Sequence, residues 1–144
     1  MILYLDTSGL AKLFIEEEGS DRVDAMAAEA MDIVTSVIAF PEMLSALGRR
    51  HREGSMTSRA FQASLGGFQE SWNRLTKILA GEKISEDAGA LVLRHGLRGT
   101  DGIHLASALS IRQAHVAKAV HFLSFDARLN AAAKKEGFRE LFPG

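Results

Sequence analysis

The chain has 144 residues, 47% of them hydrophobic, and 17 basic against 18 acidic side chains for a net charge of −1. That balance excludes a global basic field for nucleic acid as well as an acidic tail, and the absence of cysteine excludes disulfides, thiolate metal sites and a cysteine nucleophile. One globular domain over residues 1–144 is expected, large enough to bury roughly 68–70% of its unfolded surface. The opening apolar run is about five residues long, too short for a signal core, and no run approaches the roughly 20 residues of a membrane span. A soluble protein without a membrane partner is expected. With no cysteines to oxidise, a cytoplasmic location fits.

Met1-Ile2-Leu3-Tyr4-Leu5 reads as a strand buried on both faces, as in a parallel sheet. Asp6-Thr7-Ser8 ends it and caps a helix over 9–15. Glu16-Glu17-Glu18 is read as a solvated turn without chemistry. A helix over 21–31 and a short strand over 32–35 follow. The helix over 37–51 carries Val37, Phe40, Leu44 and Leu47 as its apolar stripe, and Pro41 fits only if the helix proper starts there or its first turn is irregular. Arg49-Arg50-His51-Arg52 places cations at a helix C-terminus, which favours them; the functional alternative is a basic edge meeting phosphates. Phe61, Leu65, Phe68 and Trp72 mark a helix over 59–72 with a core or interface stripe. A strand over 75–79 and a helix over 82–95 come next, with Arg98-Gly99 as the stop before the following helix. Thr100 reads as the cap of a mostly apolar helix over 101–116, with Asp101 in its first turn. The chain closes with a strand over 120–122, a helix over 126–136 ending at Gly137, and a short strand over 138–141.

Strands alternating with helices predict an α/β fold: a parallel sheet with helices on both faces, whose ligands bind beyond the carboxyl ends of the strands. Asp6 and Asp126 each follow an apolar strand, and Glu42 and Asp101 open helices. Each alone is explained by capping, because Asp and Glu are favoured at helix starts. If the two strands are neighbours, however, acids from distant sequence meet in one crevice. Clustered carboxylates repel unless a cation compensates them, and an all-oxygen set suits Mg²⁺ or Mn²⁺. The chemistry that follows is phosphodiester hydrolysis.

Four motifs then carry a resemblance: Leu3-Tyr4-Leu5-Asp6-Thr7-Ser8, Pro41-Glu42-Met43-Leu44-Ser45-Ala46-Leu47, His95 to Ala106 around Asp101, and Phe122-Leu123-Ser124-Phe125-Asp126-Ala127-Arg128-Leu129. In order, spacing and total length the chain resembles PIN-domain nucleases, and within them the VapC-type toxins. The resemblance implies a three-layer fold with a five-stranded parallel sheet, Mg²⁺- or Mn²⁺-dependent ribonuclease activity, a homodimer and a cognate VapB-type antitoxin. It implies that Asp6, Glu42, Asp101 and Asp126 form the acidic quartet. It also implies that Thr7 or Ser8 and Ser124 place hydroxyls beside the metal site. Gly102 departs from the usual pattern and is expected to loosen its helix by roughly 1 kcal/mol. His104, three residues after Asp101, is expected to be a packed histidine or a contact to Asp101 or phosphate; Arg98 is a second candidate for substrate phosphate. Trp72 reads as a core or interface anchor.

Two other classes compete with the nuclease. A phosphatase of the haloacid-dehalogenase type carries Asp-x-Asp after its first strand, where this chain has Ser8 in the third position. The other is a non-enzymatic scaffold or signalling domain; of these, a phosphate-accepting receiver needs its acceptor Asp after the middle strand, where this chain has Thr35-Ser36.

Overall fold

The computed structural model describes residues 1–141. Among them are four strands, β1 (Ile2–Leu5), β2 (Asp32–Ser36), β3 (Thr76–Ile78) and β4 (Val120–Leu123). Seven helices connect and follow them: α1 (Thr7–Ala11), α2 (Ser20–Glu29), α3 (Ala39–Arg52), α4 (Ser58–Trp72), α5 (Glu82–His95), α6 (Gly99–Ala114) and α7 (Ala127–Lys135). The sheet is wholly parallel, in the order β3-β2-β1-β4.

The central strand sets the layers through its two-residue side-chain period. Ile2 and Tyr4 point into one core, with residues of α5, α6 and α7. Leu3 and Leu5 point into the other, with residues of α1, α2, α3 and α4. All four side chains are buried, which is why the run is apolar throughout rather than alternating. The fold is therefore a three-layer α/β/α arrangement. None of the helices among the described residues is long and apolar enough to cross a membrane.

The fifth strand expected over 138–141 does not form among the described residues. The end of α7 claims its first residue: the N–H of Phe138 donates to Ala133 O and that of Gly137 to Lys134 O, with Gly137 at φ 98°. This is a two-bond helix stop that needs a left-handed residue. The Phe138 ring then packs on Phe122 and lies under the Arg112 guanidinium, so it serves as a core plug instead of a strand residue.

Two further local expectations are corrected. The helix before Asp101 stops at Gly96, with φ 65°, and not at Gly99. Helix α6 then begins at Gly99 with Arg98 in the cap position, so Thr100 lies inside the helix and does not cap it. Pro41 falls in the first turn of α3, where its missing N–H costs nothing.

Gly102 has a packing role beside its helix propensity. A Cβ there would sit 2.7 Å from Val92 Cγ2 and 2.9 Å from Ala88 O. The glycine allows α6 to lie directly on α5 beneath Asp101.

Candidate active site

The order β3-β2-β1-β4 places a topological switch between β1 and β4, and a crevice opens there at the carboxyl ends of the strands. Leu5 pairs with Leu123 in register, so the residues that follow, Asp6 and Ser124, emerge side by side. The Ser124 hydroxyl donates to Asp6 Oδ2 at 2.7 Å. Ser8 donates to Asp6 Oδ1 at 2.7 Å, and the Gly9 N–H caps the same oxygen at 2.9 Å. Both hydroxyl oxygens accept in turn, Ser8 from Phe125 N–H and Ser124 from Asp126 N–H. These bonds lock the turn after β1 to the turn after β4. Asp6 is only 4% exposed, and burial pushes its carboxyl above the ordinary range, against the pull of His104 and these donors.

Three more acids reach the same crevice from other elements. Asp126 caps α7 by accepting from Leu129 N–H at 2.9 Å. Asp101 lies in the first turn of α6 and is 9% exposed. Glu42, in the first turn of α3, accepts at Oε1 from Thr7 Oγ1 at 2.6 Å and pairs with His104 Nε2 at 2.8 Å. Burial raises the Glu42 carboxyl, but the hydrogen bonds from His104 and Thr7 outweigh it and hold the group below the usual range. All four acids line one cleft of about 670 Å³.

Arg98 stands over two of them. Its Nε donates to Asp101 Oδ2 at 3.1 Å and its Nη2 reaches Asp126 Oδ2 at 3.4 Å, while the side chain remains 74% exposed. A cation at a helix N-terminus is disfavoured by the helix dipole, so these carboxylates account for its position. Among the described residues no three His, Asp or Glu side chains converge as a finished metal shell. Arg98 lies against Asp101 and Asp126, and Asp6 is turned towards its hydroxyl donors. The donor chemistry nevertheless fits a hard cation: oxygen ligands throughout, no thiolate, and two carboxylates already sharing one positive charge. Mg²⁺ needs only one or two protein carboxylates beside waters and substrate phosphate.

His104 sits deeper than its sequence position suggests. It is 2% exposed and faces Glu42, Thr7 and Tyr4, not Asp101. The hydroxyls of Thr7 and Ser8 diverge, the first to Glu42 and the second to Asp6. Two cleft residues, Lys12 and Glu17, had no role in the sequence reading, whereas Arg49 and Arg50 belong to the basic edge it offered. Lys12 follows α1 and pairs with Glu17, which also binds Arg50 at 2.8 Å, so one residue of the triple glutamate, Glu17, contributes to the cleft wall. Arg49 and Arg50 line the cleft at the same time as they close α3. For Lys12 the available signal was spacing: it lies four residues after Ser8, as neighbours on one helix face do.

The comparisons agree with this architecture. The model of the family described as the PIN domain matches residues 3–135. A ribonuclease named VapC45 from Mycobacterium tuberculosis is 29% identical over 138 residues, covering 96% of this chain and 93% of the relative. VapC47 from the same species is 30% identical over 147 residues, covering 99% and 98%. Among solved structures, Mycobacterium tuberculosis VapC20, described as a sarcin-ricin-loop-cleaving toxin, superposes with a TM-score of 0.64 at 18% identity, covering 98% of this chain and 99% of that one. FitAcB from Neisseria gonorrhoeae gives 0.65 at 17%, covering 93% and 94%. These two likenesses establish the fold. The sheet order, the crevice it opens and a family match running from β1 to the end of α7 lead to one conclusion: the chain belongs to the PIN-domain family.

Proposed function

We propose that this chain is a metal-dependent endoribonuclease, the toxin of a type II toxin–antitoxin pair, which hydrolyses RNA phosphodiester bonds in the cytoplasm. The observation that carries the reading is the meeting of Asp6, Glu42, Asp101 and Asp126, from four separate segments, on one cleft. The names of the VapC relatives, all ribonucleases, support it.

Asp6, Asp101 and Asp126 are the residues that would hold Mg²⁺ or Mn²⁺, with Glu42 as a further ligand or as the group that activates water. A bound ion would polarise the phosphoryl oxygen and lower the pKa of an attacking water. The protein's own part is placement. Ser8 and Ser124 hold Asp6 by donating to both of its oxygens. Glu42, kept ionised by its donors, is the acceptor for a water proton at its carboxylate. With no global positive field, phosphates are met locally by Arg98, Arg49 and Lys12 around the rim.

Two further partners follow from the same reading. A cognate VapB-type antitoxin would lay an apolar segment in the groove of about 450 Å³ lined by Leu13, Phe14, Ala27, Ala30, Ile33 and Leu75. It would also direct a basic residue to the acidic cleft. The active form is proposed to be a homodimer.

The test is incubation of the purified chain, stripped of metal, with mixed RNA and with a small phosphomonoester. RNA cleavage that needs Mg²⁺ or Mn²⁺ and stops with EDTA supports the nuclease. Turnover of the monoester alone supports a phosphatase, and inertness towards both supports a scaffold.

Arg98→Ala provides a smaller, separate prediction. Removing an exposed cation from two carboxylates is expected to leave the fold intact and tighten Mn²⁺ binding by about three- to tenfold. The KM for RNA is expected to rise, because the same guanidinium faces substrate phosphate. Isothermal titration and steady-state cleavage measure the two effects. Unchanged metal affinity would remove Arg98 from the site.

A further inference from the structure

Tyr4 is buried in the middle of the central strand, yet its hydroxyl is not spent on the backbone. It lies 2.9 Å from His104 Nδ1, and its ring stacks on Phe122 at 5.7 Å between centroids. On the other side of the imidazole, Nε2 lies 2.8 Å from Glu42 Oε1 and 3.2 Å from Thr7 Oγ1. A continuous line of side chains thus runs from the sheet interior to the cleft.

The direction of the hydrogen bonds at Glu42 can be deduced. An ionised carboxylate only accepts, so both groups on Glu42 Oε1 must donate: the Thr7 hydroxyl at 2.6 Å and the His104 Nε2–H. In the Nε2–H tautomer, Nδ1 is left as an acceptor. The Tyr4 phenol, kept protonated by burial and with the Ser107 hydroxyl also beside it, is the donor within reach of Nδ1.

We propose that Tyr4 and His104 form a positioning relay for the nuclease reaction: the Tyr4 hydroxyl fixes the Nε2–H tautomer of His104, which aims the Glu42 carboxylate into the cleft. This rests on reading the cleft as a nuclease site. Neither residue touches substrate; both act through Glu42. Metal-site ligands are commonly oriented in this way, by a partner that fixes ring and tautomer. Here the oriented group is a carboxylate and the fixed ring stands behind it. Thr7 holds the same oxygen from the side.

The test uses the full chain labelled with ¹⁵N-histidine. Long-range ¹H–¹⁵N spectra at neutral pH are expected to show His104 protonated on Nε2 and bare on Nδ1. Tyr4→Phe, which keeps the ring stack and removes one oxygen, is expected to abolish that preference. In Mg²⁺-dependent cleavage of an RNA oligonucleotide it is expected to lower kcat about tenfold, with KM changed less than twofold. His104→Leu is expected to lose about a hundredfold in kcat. His104→Gln, whose side-chain N–H can take the place of Nε2–H, is expected to recover part of that loss at equal thermal stability, which a purely structural histidine would not predict.

A wild-type His104 protonated on Nδ1 overturns the relay. So does a Tyr4→Phe variant with unchanged tautomer and unchanged kcat, or one whose effect lies in KM. If the wild type cleaves no RNA, the proposed function fails, and the spectra of wild type and Tyr4→Phe still decide whether the tautomer is set by Tyr4.

Discussion

Asp6→Asn is expected to abolish RNA cleavage, by about a thousandfold or more, while leaving the fold intact and its melting temperature at or above that of the wild type. The loss follows from the ion's contribution. A metal polarising a phosphoryl oxygen supplies several kcal/mol of transition-state stabilisation, and about 4 kcal/mol corresponds to a thousandfold in rate. The retained stability follows from burial. Asp6 is almost wholly out of water, with its carboxyl pushed upward chiefly by desolvation. A folded-state pKa above the unfolded value means that the charged form costs stability. The cost is fully present above the folded pKa and disappears as pH falls through it towards the unfolded value. The variant's advantage in melting temperature should therefore be larger at pH 8 than at pH 4. Asparagine can still accept from Gly9 N–H and Ser8, so the start of α1 survives. Mg²⁺ is expected to raise the melting temperature of the wild type and leave that of the variant unmoved. Thermal melts across pH, with and without Mg²⁺, measure all of this. A variant that unfolds, or that still cleaves, contradicts the assignment of Asp6.

Gly102→Val is expected to be the most damaging single change away from the acids, costing about 3 kcal/mol or more by overpacking. In a domain of this size that is a melting temperature lower by about 10 °C. The first carbon of any side chain at Gly102 meets the carbonyl oxygen of Ala88, a backbone atom that cannot swing aside. Relief requires α5 and α6 to separate, and Asp101, one residue earlier, moves with α6. Cleavage is expected to fall with stability. Gly89→Ala, in α5, is the control: nothing stands within 4 Å of a Cβ there, and the residue is exposed. Helix propensity alone should raise stability by about 0.5–1 kcal/mol. Opposite shifts at the two glycines would show that the α5–α6 approach, and not glycine content, governs this layer. Equal shifts would contradict it.

The central strand and the acids after it were readable from the sequence because burial on both faces leaves a short unbroken apolar run, and the residue that ends such a run in a parallel sheet faces the crevice. The start of α6 was misread by two residues. Thr100 is the better capping residue by type, but Gly96 had already ended α5, and the chain needed only Leu97 and Arg98 to turn. The segment over 138–141 has a strand-like composition; what prevents a strand is tertiary, since Phe138 is drawn into the core against Phe122 and its N–H is consumed by the end of α7. Glu17 looked like one of three solvated acids because only the fold brings Arg50 and Lys12 to it. Tyr4 was hidden among apolar neighbours. Its ring belongs to that run, and only the partner 100 residues later shows what its oxygen is for.

The central claim is that the carboxylate cleft is the site of metal-dependent RNA cleavage. The most direct test compares purified wild type with Asp101→Asn on a mixed RNA pool, each with Mg²⁺, Mn²⁺ or EDTA. The substitution keeps the size of the side chain and removes the charge that both Arg98 and a metal would meet. The account predicts cleavage by the wild type with either metal, none with EDTA, and none by the variant under any condition. Equal cleavage by both proteins, or cleavage that survives EDTA, would contradict it.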